Sequence, residues 1–329
     1  MSNLENVRTP LAPVIGPAAS EGTGGLRERP MSGHTAASNE AALLQALKGG
    51  SALRGYSPLP DQKAATLVQP AGREWREIVK GPLRIWGSWL ILGMLGALIV
   101  FYVMRGKIEI SAGPSGRTLE RFSLIERFVH WLTASSFIAL ALSGLNITYG
   151  RYVLLPIMPA EWFTALSLTL KYIHNFVAFP FMLGLALTFA IWIVHNIPSR
   201  IDLQWLAVFG GLFTKDLHPP AGKFNAGQKL VFWSVVIGGG ALAVSGIYLL
   251  FPFYLGDMGM QQLMQVVHAA VAVVMIAIVL AHIYIGSLGM EGAFDAMGTG
   301  RVDENWAREH HSLWVAEVKG DAAARPGHD

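Results

Sequence analysis

The sequence has no cysteine. That removes disulfides, thiolate-held iron–sulfur clusters, CxxCH haem attachment and Cys-based zinc sites. Charge is scarce as well: Asp, Glu, Lys and Arg make up 14% of the 329 residues, against about 25% in an ordinary soluble domain. The 25 basic and 22 acidic residues leave a small, dispersed excess, which excludes a nucleic-acid partner. What is present in abundance is apolar: 52% of the residues are hydrophobic and mean hydropathy is +0.42. A soluble chain of this length would usually split into two domains. This composition instead describes an all-α membrane protein whose surroundings are a lipid bilayer. Any redox role must rest on a non-covalent cofactor, and the ten histidines are the candidates to hold it.

Residues 1–72 hold 9 Gly and 7 Pro with only brief apolar stretches, the composition of a disordered head. No apolar segment follows a basic start, so no signal peptide is expected. Five apolar runs follow, each long enough for the roughly 20 residues that cross a bilayer: Leu83–Met104, Phe128–Tyr149, Tyr172–His195, Leu230–Phe251 and Leu263–Leu288. Trp86 and Trp89 flank the first at one end, Arg105 and Lys107 at the other, as interfacial anchors do. Twelve Lys and Arg, among them Arg105, Arg117, Arg200, Lys215 and Arg301, flank the spans on one side. Six, among them Arg84, Arg151 and Lys171, lie on the other. The positive-inside rule puts the twelve in the cytoplasm, with the C-terminus inside and the N-terminus outside a bacterial inner membrane.

A histidine within a membrane span is costly without a partner and marks a functional site by default. Four qualify: His130, His174, His268 and His282. The last two share a helix 14 residues apart, within about 40° of four full turns, so they point to one face roughly 21 Å apart. Matching depths pairs His174 with His268 near the outer surface, and His130 with His282 near the inner one. Each pair suits the two axial positions of a porphyrin iron, an arrangement for electron transfer rather than oxygen binding. The competing readings are polar packing and a proton relay. Gly144, 14 residues after His130 on the same face, either admits a porphyrin edge or lets helices pack closely. His195 lies at inner depth too, and geometry alone leaves it as another partner for His130. His218, His310 and His311 fall in cytoplasmic segments and His34 and His328 in the tails; none is assigned chemistry.

The loop between the third and fourth spans ends in His218-Pro-Pro-Ala-Gly-Lys-Phe-Asn225-Ala-Gly227-Gln228. Asn225 is placed to N-cap the fourth helix. The same amide, with free backbone N–H groups, is placed to bind a quinone carbonyl.

These residues resemble a known family, the membrane gamma subunit (a dihaem cytochrome b) of respiratory formate dehydrogenase. The resemblance rests on Glu126-Arg-Phe-Val-His130-Trp, Ile173-His174-Asn, His195-Asn-Ile-Pro198, Lys223-Phe-Asn-Ala-Gly-Gln-Lys229, His268-Ala-Ala, His282-Ile-Tyr and Trp306-Ala-Arg-Glu-His-His-Ser-Leu-Trp314. It implies a four-helix dihaem bundle over residues 117–291, an additional N-terminal span and connector over 73–116, and a cytoplasmic tail over 292–329. It implies two haem b groups, His174 and His268 holding the outer and His130 and His282 the inner, with iron the bound metal. It places a quinone at Asn225 and Gly227, with His282 touching both the inner haem and the quinone, and His195 at the pocket edge. The partners implied are an iron–sulfur beta subunit and a catalytic alpha subunit, so that formate is oxidised elsewhere and quinone reduced here. The cytochrome b subunit of a nickel–iron hydrogenase would use the same haem plan. A haem-free proton-coupled carrier and a purely structural anchor are the rivals from other classes.

Overall fold

The computed structural model of the chain describes residues 70–214, 217–252 and 254–320. The head expected over residues 1–72 therefore lies almost wholly outside the described residues, as do His34, Lys215 and His328; Pro70–Gly72 begin a helix that runs to Ile78. The chain divides into two units, Met1–Arg73 and Glu74–Asp329. Five long helices dominate the second. They lie in the segments Glu74–Arg105, Leu124–Val153, Ala160–Asn196, Ala226–Leu250 and Met258–Gly289, all long and apolar enough to cross a membrane. Five spans is the number the hydropathy predicts.

Within them the regular helices are α1 (Arg84–Arg105), α2 (Leu124–Val153), α3 (Ala160–Trp192), then a short α4 (Arg200–Ala207), α5 (Ala226–Leu250) and α6 (Met258–Tyr284). Local chemistry sets their starts. Ser123 and Asn225 each form a reciprocal capping box, with Glu126 and Gln228 at the third helical position. The Asp257 side chain accepts from the Met260 N–H. Each such cap is worth about 1 kcal/mol. Helix α3 begins at Ala160, twelve residues before the expected Tyr172. Glu161 and Lys171 hide this first stretch from hydropathy, while Pro159 at the N-cap position sets the start. At 30 and 33 residues, α2 and α3 run about 45 and 50 Å. The hydrocarbon layer is only about 30 Å thick, so this hairpin extends beyond it.

Helices α2–α3 and α5–α6 form two antiparallel hairpins, and α1 packs on α6. Gly87 of α1 makes the close approach possible: a Cβ there would sit 2.8 Å from Tyr149 Oη and 3.1 Å from Val273. Tyr149 Oη donates to the Arg84 carbonyl at 3.1 Å.

One end of the bundle, where α2 and α5 begin, carries a folded cap. Strand β1 (Thr118–Glu120) pairs antiparallel with β2 (Arg301–Asp303) in the register Thr118↔Asp303. Short helices α7 (Asp295–Gly298), α8 (Glu304–His310) and α9 (Ser312–Lys319) complete it. Its apolar cluster joins Ile110, Phe122, Trp192, Phe224 and Phe232 to Ala296, Val302, Trp306, Ala307, Trp314 and Val315. Six of those eleven come from residues 292–329, which the family resemblance reads as a tail. Their apolar positions are too few and too short in run to announce a core, and they become one only against the helix ends.

The best-paired buried polar groups of the cap centre on Arg121 and Glu304. The Arg121 guanidinium, 3% exposed, donates to the Lys223 carbonyl at 2.7 Å and to His311 Nε2 at 2.9 Å. A guanidinium can only donate, so His311 Nε2 accepts and its Nδ1–H donates to the Gly222 carbonyl, 2.8 Å away. Burial pushes Arg121 down to about 9, against the raising influence of Glu126, and pushes His311 well below its ordinary value. Glu304 gathers Lys319 and Arg308, whose hydrogen bonds hold its carboxyl down to about 2.

Candidate functional site

The four span histidines meet in two pairs. His174 and His268 have ring centres 6.1 Å apart with planes at 69°. His130, in the second turn of α2, and His282, at the end of α6, are 6.3 Å apart at 62°. The second pair lies at the cap end of the bundle. The first lies about 21 Å away, the rise of the 14 residues of α6 that separate His268 from His282. His195 belongs to neither: it is exposed in a 3-10 turn after α3, 6.5 Å from the ring of Phe224.

Six ångströms is too wide for stacked rings, and it leaves room for a haem iron between the two imidazoles. His174 with His268, and His130 with His282, would hold such an iron between their rings, and it would supply a one-electron couple. Among the described residues no group of three or more His, Asp or Glu converges as a bare metal ion would require. A porphyrin iron needs only two protein ligands, and the donor set fits it.

The pair farther from the cap is held by a repeated device. Ser143, fully buried on α2, places its Oγ 2.9 Å from His174 Nδ1. Ser245, 1% exposed on α5, places its Oγ 2.9 Å from His268 Nδ1. The glycine that follows each serine makes room for the same ring. A Cβ on Gly144 would meet His174 Cε1 at 3.3 Å, and one on Gly246 would meet His268 Cε1 at 3.4 Å. Gly144 thus seats an imidazole of the facing helix, a contact that its position alone did not name.

The pair nearer the cap is held differently. His130 Nδ1 is buried without a hydrogen-bond partner among the described residues. Its helix turn is pinned from the cap instead: Trp131 Nε1 donates to the Met297 carbonyl at 2.9 Å, and Arg127 donates to the carbonyls of Met297 and Gly298. Trp131 stands edge-on to His130 at 5.1 Å. Just past His282, Tyr284 packs edge-on against Phe101 and Tyr102 of α1.

Comparison with known proteins points to haem as the group concerned. The sequence profile of prokaryotic cytochrome b561 matches residues 121–300, which hold all four histidines and both serines. The chain belongs to the prokaryotic cytochrome b561 family. Membership implies haem b and an all-α membrane architecture. The cytochrome is also 28% identical over 210 residues to the "Formate dehydrogenase, nitrate-inducible, cytochrome b556(Fdn) subunit" of Escherichia coli K12, covering 62% of this chain and 93% of that one. It is 29% identical over 207 residues to the same organism's "Formate dehydrogenase, cytochrome b556(fdo) subunit", covering 61% and 94%. The "Formate dehydrogenase, cytochrome b556 subunit" of Haemophilus influenzae is 25% identical over 219 residues, covering 64% and 87%.

Two quinone candidates in the cytochrome have structural duties. Asn225 Oδ1 accepts from the Gln228 N–H at 2.9 Å, and its own N–H donates to Gln228 Oε1 at 3.0 Å. The N-capping reading of Asn225 therefore holds in full, while its Nδ2 makes no hydrogen bond among the described residues. Gly227 lies beneath the indole of Trp205 from α4: a Cβ there would meet Trp205 Cη2 at 2.9 Å. Trp205 is a neighbour that sequence patterning did not single out.

Ser143 and Ser245 were missed for a physical reason. A serine in an apolar helix reads as one that merely bonds its own backbone. A repeat was the signal that could have found them. Residues 121–144 and 223–246 align without gaps at a spacing of 102, with Phe122, Val129, Trp131, Ala139, Leu140, Ala141, Ser143 and Gly144 matched by identical residues. The capping boxes match too, Ser123 with Asn225 and Glu126 with Gln228.

Proposed function

We propose that this cytochrome is the membrane-anchoring subunit of a formate dehydrogenase complex, in which two b haems carry electrons from an iron–sulfur subunit to the quinone pool. The observation that carries the reading is the pair of imidazole couples, 6.1 and 6.3 Å across, at two levels of one bundle. The relatives' names supply the donor. His174 and His268 are assigned to one haem, His130 and His282 to the other. With the cap end in the cytoplasm and the N-terminus in the periplasm, the first haem lies near the outer face. When bound, such a group supplies a one-electron couple that a bis-His site keeps low-spin and closed to oxygen. The chain's own residues hold the imidazoles at fixed spacing, exclude water with apolar helices and seal the cytoplasmic end with the cap. Driving an electron inward opposes a potential worth about 2.3 kcal/mol per 100 mV, so a strongly reducing donor lets the complex store energy.

Quinone reduction is assigned to the neighbourhood of Asn225 and Gly227. The unengaged Asn225 Nδ2 is a donor for a quinone carbonyl, and the Trp205 ring over Gly227 offers a flat apolar surface for the quinone ring. Formate oxidation is assigned to a catalytic alpha subunit outside the membrane, reached through an iron–sulfur beta subunit. Purification in mild detergent tests the reading. Two haems per chain, a formate-oxidising companion and reduction of the b-type absorbance by formate are expected. A nickel–iron companion that responds to hydrogen would reassign the donor, and a colourless protein would refute the electron-carrying role.

A further inference from the structure

The symmetry of one histidine pair and the asymmetry of the other carry a consequence for electron flow. In the far pair, each serine hydroxyl has one proton, and a backbone carbonyl takes it. Ser143 Oγ donates to the Ala139 carbonyl at 2.7 Å, and Ser245 Oγ donates to the Ala241 carbonyl at 2.6 Å. The oxygen that remains can only accept, so the ring atom 2.9 Å from it must be a donor: Nδ1 of His174 and of His268 carries the proton. That tautomer leaves the Nε2 lone pair of both rings bare for iron. Two buried serines thus decide which nitrogen ligates.

The near pair lacks this device. At the 102-residue spacing, His130 corresponds to Phe232, a member of the cap's apolar cluster. If His174 is laid on His268, His282 corresponds to Thr188, whose hydroxyl lies 3.2 Å from that of Thr133. Neither near-pair histidine has a repeat mate, and His130 Nδ1 has no acceptor among the described residues.

We infer that Ser143 and Ser245 are positioning residues that lower the reduction potential of the iron held by His174 and His268 relative to that held by His130 and His282. A ring N–H that donates a hydrogen bond makes its imidazole a more basic ligand, and a more basic ligand favours the ferric state. Both axial ligands are strengthened at the far site. Electrons therefore run downhill from the far pair to the pair beneath the cap. This inference rests on the proposed dihaem reading.

The test is a redox titration of haem absorbance in the full-length protein, purified with its partners, for wild type, Ser143→Ala, Ser245→Ala and the double variant. Haem content is measured first: two haems per chain in wild type and one in His174→Ala establish the dihaem reading by itself. Each serine variant is then expected to keep two haems and to raise one midpoint potential. The double variant should shift the one-electron equilibrium by about tenfold, or ~59 mV, with the other potential unmoved. The Ser143→Thr variant, which restores a hydroxyl able to bond the same carbonyl, should return the potential toward wild type. Two retained haems with neither potential moved by the double variant would overturn the inference. So would an upward shift that Ser143→Thr fails to reverse when Ser143→Cys, a weak acceptor, gives no intermediate value.

Discussion

The two histidine pairs have nearly the same ring spacing and opposite construction. The far pair is assembled locally: each hairpin supplies a Ser–Gly step on its first helix and a histidine on its second, so each hairpin carries half a site. The near pair is assembled globally. His130 and His282 come from different hairpins, and what steadies His130 is the cap, through Arg127 and Trp131 bonding to Met297 and Gly298. A site can therefore be specified by residues 23 and 31 positions apart on adjacent helices, or by residues more than 160 positions away. The second kind depends on the cap being folded.

Removing a proposed ligand is the largest perturbation of this comparison. His174→Ala and His282→Ala should each reduce haem content from two per chain to about one, measured as the pyridine haemochrome against protein. The surviving absorbance should differ between the two variants. Identical surviving spectra would mean that the pairs are not separate sites. Next is the glycine seat. Gly144→Val should weaken haem retention at the far site by about 10–100-fold, the range for disturbing the surroundings of a ligand. The near site should be unaffected, and Gly240→Val, where a Cβ meets nothing within 4 Å, should leave both intact. Haem loss to apomyoglobin, followed by absorbance, reads out each.

The cap offers the smaller perturbations. Lys223 Nζ lies 2.7 Å from Glu126 Oε1 with both side chains mostly buried, and Trp192 Nε1 donates to the same oxygen at 3.0 Å. Lys223→Ala removes the counter-ion of a mostly buried carboxylate and should cost about 2 kcal/mol. Denaturant melts in detergent should show it, with haem loss faster at the near site than at the far one. Acidification should do the same more gently. Burial holds His310 down to about 4, with His218 and Arg121 lowering it further and Glu309 raising it. The folded cap thus keeps the neutral ring, so its stability is full above the ordinary value of 6.5 and declines as pH falls toward 4. At pH 5.5 the loss is about 1 kcal/mol. Hydrogen exchange, corrected for intrinsic rate, should quicken across residues 301–319 between pH 7.5 and 5.5 and stay constant in the centre of α6.

What was legible in the sequence follows the same division. Spans, their number and the 14-residue step between His268 and His282 are properties of consecutive residues, and they are visible as hydropathy and helical phase. Gly144 was visible as a missing side chain, but not the imidazole that it seats, because that contact crosses to α3. Ser143 and Ser245 were present as letters and hidden as ligand partners, for the same reason. The cap was not legible at all. Its strands are three residues each, and Thr118 meets Asp303 only in the folded chain. The start of α3 was missed because Glu161 and Lys171 lower the hydropathy of a stretch whose helix is set by Pro159 and by the facing wall of α2.

Strand β2 and helices α8 and α9 are the last described parts of the chain to be synthesised, yet they close the opening between the first residues of α2 and α5. During biosynthesis the first residues of α2 and α5 are made before the segment that packs on them. On the dihaem reading, a porphyrin bound for the near pair would enter before that segment is in place. Truncating the chain before Arg301 should therefore leave a bundle that loads its near cofactor but cannot keep it.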